Sequence, residues 1–174
     1  MTKSIAIGVC SCLLGEHVRY DGGQKHDRFI TGTLSEYFTF VPVCPEVGCG
    51  FQVPREAMRL EGDPAAPRLI TCRTHIDMTD QMLDYCARKV IELEQEPLCG
   101  FIFKERSPSC GLVNVNVYNN DQEEKCGSGL FAVAMVRHFP SLPMVEDECL
   151  DDHSIRENFI ERVLLYCHKK DDRK

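Results

Sequence analysis

Apolar residues along the chain gather in three short runs, and each run ends on a loop that contains cysteine. Ile5-Ala6-Ile7-Gly8-Val9 runs into Cys10-Ser11-Cys12. Phe38-Thr39-Phe40-Val41-Pro42-Val43 runs into Cys44-Pro45-Glu46. Cys99-Gly100-Phe101-Ile102-Phe103 runs into Lys104-Glu105-Arg106-Ser107-Pro108-Ser109-Cys110-Gly111. Runs this short, rich in β-branched and aromatic residues and closed by Pro, Gly and Ser, predict buried strands. Between and after them the apolar spacing changes to that of helices. Residues 30–37 predict a short helix. Over residues 79–96, Met82, Leu83, Cys86, Val90 and Leu93 share one face, with Thr79 as N-cap and Pro97 as the stop. Residues 130–139 predict a helix entered through Gly127-Ser128-Gly129. Ser154-Ile155-Arg156-Glu157 has the form of a capping box, with Ile155, Phe159, Val163 and Cys167 following on one face.

Strands alternating with helices imply βαβ units and therefore an α/β fold: a mainly parallel, Rossmann-like sheet flanked by helices. In such sheets the ligand crevice lies outside the carboxyl ends of the strands. All three cysteine loops fall at carboxyl ends, so residues distant in sequence are expected in one cleft. Residues 56–76 show no clear period, 62–67 read as a loop, and 119–127 as a polar, exposed turn. The expected organisation is a single domain over residues 1–168 and an all-charged tail over 169–174, without internal repeats.

Composition narrows the chemistry. The apolar runs are too short to span a bilayer, and no export signal precedes the first one, so a cytoplasmic protein with no membrane association is expected. Among 174 residues there are eleven cysteines. An odd count in a chain with no export signal argues against a disulfide framework, which leaves buried thiols, reactive thiols or a metal or iron–sulfur site. No C-x2-C pair is present, so neither zinc nor ferredoxin spacing is matched. Cys86 and Cys167 fall on apolar helix faces and read as core, and Cys49, near Cys44, as a structural thiol, with a site thiol as the alternative. The net charge of −7 argues against a large non-specific nucleic-acid surface.

Cys12-Leu13-Leu14-Gly15, Val18-Arg19-Tyr20-Asp21-Gly22, Cys44-Pro45-Glu46 and Ser107-Pro108-Ser109-Cys110-Gly111, in this order, resemble the motifs of the thiouracil desulfidase family. Residues 127–131 resemble the Gly-rich segment that follows the family's last cysteine. The region around Glu157-Asn158-Phe159 is similar to the subgroup linked to 4-thiouridine removal from transfer RNA, although the helical domain often added there is absent. The resemblance implies a [4Fe-4S] cluster held by Cys12, Cys44 and Cys110 with one open iron. It implies Glu46 and Ser107 as catalytic residues, and as substrate a small thiolated nucleobase, nucleoside or nucleotide, with transfer RNA as a further candidate. Cys10, just before the first motif, is not carried over.

The residues suit such chemistry. A thiocarbonyl sulfur and a cluster iron are both soft, so an open iron activates the adjacent carbon towards water without net redox change. Glu46, two residues after Cys44, can act as general base, and Ser107 can hydrogen-bond the water or the developing oxyanion. On the residues alone, Glu46 also reads as a carboxylate that caps a helix or pairs with an arginine, and Ser107 as a hydroxyl that shapes its loop. Arg19, Lys25, Arg55 and Lys104, with Ser109, are candidates for substrate contact, the cations for phosphate. Two other classes stay open: a non-catalytic metal or iron–sulfur module, and a thiol redox protein using Cys10 and Cys12.

Overall fold

The computed structural model describes residues 5–120 and 122–171. The first three apolar runs become strands β1 (Ile5–Cys10), β2 (Phe38–Val43) and β5 (Leu98–Phe103). With β8 (Met144–Glu146) they form a wholly parallel sheet in the order β2-β1-β5-β8. Chain order reverses about β1, since β2 lies on one side of it and β5 on the other. A crevice therefore opens above the carboxyl ends of β1 and β5, where ligands bind in sheets of this type.

Helices cover both faces of the sheet. Side chains alternate along β5. Phe101 and Phe103, with ring centroids 4.4 Å apart, meet Phe131 of α3 (Leu130–His138) at 5.9 and 6.3 Å. α2 (Thr79–Glu94) packs beside α3 and brings Tyr85 to 6.4 Å from the same ring. Gly100 faces the other way, where a Cβ would meet Val163 and Phe159 of α4 (His153–Asp171) at 2.8 and 3.4 Å. Glycine is needed at position 8 for a related reason, because a Cβ there would lie 2.3 Å from the Phe101 ring of the paired strand. No helix among the described residues is long and apolar enough to cross a membrane.

Several local expectations are revised. Residues 30–37 are not one α-helix but a π turn, Phe29–Thr33, followed by a 3-10 turn, Leu34–Glu36. Thr79 is not a cap: its hydroxyl accepts the Leu69 N–H at 2.8 Å, and Asp77 accepts the Thr79 N–H at 2.9 Å. Ser154 is likewise replaced as the cap of α4 by Asp152, whose Oδ1 accepts the N–H groups of Ser154 and Ile155 at 2.8 and 3.2 Å. Ile155 is exposed, so the buried stripe of that helix begins at Phe159. The helix continues through residues 169–171 of the charged tail, and 172–174 lie outside the described residues.

Residues 56–76 and 115–127 build a second sheet that the sequence pattern did not predict. It comprises β3 (Met58–Glu61), β4 (Arg68–Thr71), β6 (Val115–Asn119) and β7 (Gln122–Gly127), ordered β4-β3-β6-β7. β3 and β6 run parallel, and the two outer pairs are antiparallel. The polar stretch expected as a turn is thus mostly an edge strand, exposed from Gln122 to Cys126. The sheet buries one face through Leu60, Leu69, Val115 and Val117 and flanks the crevice of the first sheet.

The Asp152 cap gives a stability test. Hydrogen bonds from Ser154, hydroxyl first, hold its carboxyl below the ordinary value of 3.8. A depressed carboxylate contributes stability that is fully present above the unfolded value and lost as pH falls through the folded one. Asp152→Ala is therefore expected to lower the melting temperature at pH 7, and the gap to the unaltered protein to close as pH drops below about 4, where thermal scans would read it.

Candidate active site

Three loops at the carboxyl ends of the parallel sheet enclose a cavity of about 500 Å³ lined by Cys10, Cys12, Cys44, Glu46, Arg55, Ser107, Ser109 and Cys110, among others. β1 ends at Cys10 and passes into the 3-10 turn Ser11–Leu14, which presents Cys12. Gly15 closes that turn in the left-handed region at φ 90°, and the chain then folds back. Its Lys25 and Asp27 N–H groups bond the carbonyls of Cys12 and Leu13, both at 2.9 Å. β2 ends at Val43, and Cys44 caps the short helix α1 (Pro45–Gly48), with Pro45 at its first position, where a missing N–H costs nothing.

The third loop, after β5, is held by the start of α3. The N–H of Gly129 bonds the Gly111 carbonyl at 2.7 Å, that of Leu130 the Pro108 carbonyl at 3.2 Å, and that of Phe131 the Ser109 carbonyl at 2.9 Å. The orphan donors of the helix N-terminus thus fix the loop that carries Cys110. Gly129 has no room for a side chain, since a Cβ would lie 2.4 Å from the carbonyl carbon of Ser109. Glu146, the last residue of β8, accepts the Leu112 N–H at 2.7 Å and Asp147, just after it, accepts the Glu105 N–H at 2.8 Å, pinning both flanks of the same loop.

The thiols share one electrostatic environment. Burial pushes the Cys12 thiol up to about 12, with Cys110 adding to the effect. Burial likewise raises Cys44 to about 11, opposed by a hydrogen bond from the Val47 backbone. Cys110 is raised by its hydrogen bond with Cys10 and by burial. The Cys10 sulfur also accepts the Lys104 N–H at 3.3 Å. Among the described residues, no three His, Cys, Asp or Glu side chains approach closely enough to hold a single metal ion. Cys10, Cys12, Cys44 and Cys110 nevertheless all line the one cavity.

Glu46 and the two serines form a chain. Arg55 donates to Glu46 Oε2 from Nε at 2.9 Å and from Nη2 at 2.5 Å, and its Nη2 also reaches the Val18 carbonyl at 2.9 Å. The other carboxylate oxygen accepts the Ser109 hydroxyl at 2.8 Å. Ser109 Oγ lies 3.1 Å from Ser107 Oγ, which accepts the N–H groups of Cys110 at 3.0 Å and Ser109 at 3.3 Å. Glu46 is thus paired with an arginine and Ser107 does shape its loop, yet both line the cavity.

The cations expected near substrate separate into two kinds. Lys104 Nζ is held by Asp147 at 2.6 Å and Glu105 at 3.1 Å, and Arg55 by Glu46, so both charges are balanced inside the protein. Arg19 and Lys25 also line the cavity, with Arg19 only 4.0 Å from Asp21. Sequence reasoning allowed an arginine partner for Glu46 without singling out Arg55, and it missed the Ser109–Glu46 bond. The first spans nine residues with no periodic signal. The second spans 63 residues, and only the Ser-x-Ser-Cys pattern hinted at it.

Known proteins resemble this chain in sequence and in fold. A family model described as 2-thiouracil desulfurase matches residues 7–147. The chain is 30% identical over 134 residues to the uncharacterized protein YbbK of Bacillus subtilis (strain 168), covering 73% of this chain and 87% of that one. A solved structure, named as the [4Fe-4S]-dependent thiouracil desulfidase TudS, superimposes with a TM-score of 0.68 at 24% identity. The match covers 90% of this chain and 99% of that chain, so the two share a fold.

Proposed function

The chain belongs to the 2-thiouracil desulfurase family, and on that premise we propose that it is a desulfidase that converts a thiolated uracil-type base to the oxo base with release of sulfide. The observation that carries this reading is the convergence of Cys12, Cys44 and Cys110, from three separate strand ends, on one cavity that also holds Glu46 and Ser107. A non-catalytic metal module has no need of a half-buried carboxylate clamped beside its thiols. A redox reading would rest on Cys10 and Cys12, but the contacts of Cys10 are with Cys110 and the Lys104 backbone.

The donor set fits a [4Fe-4S] cluster. Three thiols lining one cavity supply the soft thiolate donors that such a cluster's irons take. When bound through Cys12, Cys44 and Cys110, such a cluster supplies an open iron as a soft Lewis acid for a thiocarbonyl sulfur. The rest of the chemistry falls to the protein. Arg55 keeps the Glu46 carboxylate aimed into the cavity, where it accepts the proton lost by the attacking water. Ser107, on the same wall, hydrogen-bonds the water or the oxygen that replaces sulfur. Arg19 and Lys25 are the cations for a substrate phosphate, and we take the cytoplasm, where thiols stay reduced, as its setting.

Anaerobic incubation of iron-loaded protein with thiouracil, 4-thiouridine, its monophosphate and thiolated transfer RNA tests the reading through sulfide release. The monophosphate is expected to be turned over with weak salt dependence, because two cations hold one or a few phosphates and a chain with 27 acidic against 20 basic residues offers no long basic track. Turnover of transfer RNA alone, collapsing as salt rises, would overturn the small-substrate preference. No sulfide from any of the four would overturn the desulfidase reading.

A further inference from the structure

Among the described residues that line the cavity, Tyr20 is the one large apolar side chain left exposed, at 42%. An exposed apolar residue is ordinary by itself. The backbone that carries this one is pinned from several sides. The Gly22 N–H bonds the Arg19 carbonyl at 3.0 Å, the Arg19 N–H bonds the Gly23 carbonyl at 3.2 Å, and Asp21 accepts the Gly23 N–H at 2.9 Å. Gly22 supplies the left-handed φ of 77° that the tight turn requires. From outside the turn, Arg55 donates its backbone N–H to the Tyr20 carbonyl at 2.7 Å and a guanidinium N–H to the Val18 carbonyl at 2.9 Å. The same guanidinium clamps Glu46, so the turn and the carboxylate share one support. None of these bonds uses the Tyr20 ring, which has the Arg19 guanidinium 5.7 Å from its centroid.

We propose that Tyr20 is a specificity-determining residue, a fixed platform on which a planar pyrimidine ring stacks with its thiocarbonyl directed at the cysteines. The proposal rests on the desulfidase reading for the identity of the ring, and it names how the cavity tells that ring from other thiocarbonyl compounds. A nucleobase has polar edges and two apolar faces. Hydrogen-bonding groups serve the edges, and an aromatic or apolar wall serves the faces. Val18, Ala57 and Met58 line the same cavity and extend such a wall. Ala57 and Met58 follow Arg55 in the chain, so the bond from Arg55 to Tyr20 brings the start of β3 to the turn. A ring carried on a hydrogen-bonded turn loses little freedom when a ligand stacks on it, and that preorganisation favours binding. A saturated ring of the same outline is puckered and lacks π electrons, so it gains less from the platform.

Binding of uridine monophosphate, an oxo product, to cluster-free protein tests the platform without any reaction. The comparison is 5,6-dihydrouridine monophosphate, which keeps the polar edge, the sugar and the phosphate but has a puckered, non-aromatic ring. NMR or calorimetric titration of the unaltered chain should favour the aromatic nucleotide by about fivefold or more, the lower end of what base–aromatic stacking is worth. Tyr20→Leu, with apolar bulk but no π face, should weaken uridine monophosphate by a similar factor and bind the two nucleotides alike. Tyr20→Phe should keep both the affinity and the preference. Equal affinities in the unaltered chain, a preference that survives in Tyr20→Leu, or no saturable binding of uridine monophosphate overturns the platform. In the iron-loaded enzyme, the loss in Tyr20→Leu should fall on KM for 4-thiouridine monophosphate rather than on kcat, with iron content unchanged. A loss confined to kcat, or a loss of iron, overturns the platform as well. If uridine monophosphate binds with this dependence on Tyr20 and the unaltered enzyme releases no sulfide, the platform stands and the desulfidase reading fails.

Discussion

Replacing Cys12, Cys44 or Cys110 by alanine is expected to remove iron and activity together. Each thiol comes from a different strand end, and each would bind one iron of the proposed cluster, so none can cover for another. Even partners one shell removed from a metal typically matter by about 10–100-fold in affinity or activity, and a lost ligand should cost more than about 100-fold. Iron per chain and visible absorbance after anaerobic reconstitution give the readout. The control is Cys10→Ser, because Cys10 is buried in the same cavity yet bonded to Cys110 and to the Lys104 N–H. That variant should keep its iron. If it empties as completely as Cys12→Ala, the site uses four thiolates and the open position disappears.

Glu46→Gln should do the opposite, leaving iron and colour in place while turnover falls about 10²–10⁴-fold, the usual range for a general acid–base group. Glutamine is nearly the same shape and its amide oxygen still accepts a bond from Arg55 or from Ser109, so the cavity need not collapse. What it lacks is the capacity to take up a proton and the charge that balances Arg55. Stopped-flow or steady-state sulfide release at matched iron content separates the outcomes. Full turnover in this variant removes Glu46 from the reaction, and loss of iron makes it a structural support for the Cys44 turn.

Much of the parallel sheet could be read in the sequence because burial on both faces writes itself as uninterrupted apolar runs, as in Leu98–Phe103, where every residue is buried. The convergence of the cysteine loops followed from the same reading, because strands in one parallel sheet all deliver their carboxyl ends to one edge. The second sheet was harder to read. Its strands are four to six residues long and half-exposed, and β7 is polar except at its end, so tertiary pairing rather than local propensity makes it a strand. Caps slipped by two residues for a similar reason. Asp152 and Asp77 lie just outside the helices they serve, while Ser154 and Thr79 carry the stronger pattern. In the site, the sequence supplied the residue types near the cysteines but not their partners. Nothing local distinguishes Arg55, clamped on Glu46, from Arg19 at the mouth, or Ser109, donating to Glu46, from Ser107.

The bonds that hold the cysteine loops are all made by protein to protein: Lys25 to Cys12, α3 to Pro108 and Ser109, Asp147 to Glu105. None of them needs iron. Small metal-dependent domains that are unfolded without their ion behave otherwise, because there the ion supplies the folding free energy. If the proposed cluster binds here, folding of the polypeptide and loading of the cluster are therefore expected to be separable events. Loss of the cluster to air would then call for repair rather than disposal. A chain without its cluster is expected to stay folded as a substrate for reloading, provided its thiols are kept reduced, and its turnover in the cell would then track the supply of iron and reducing equivalents more closely than the rate of protein synthesis.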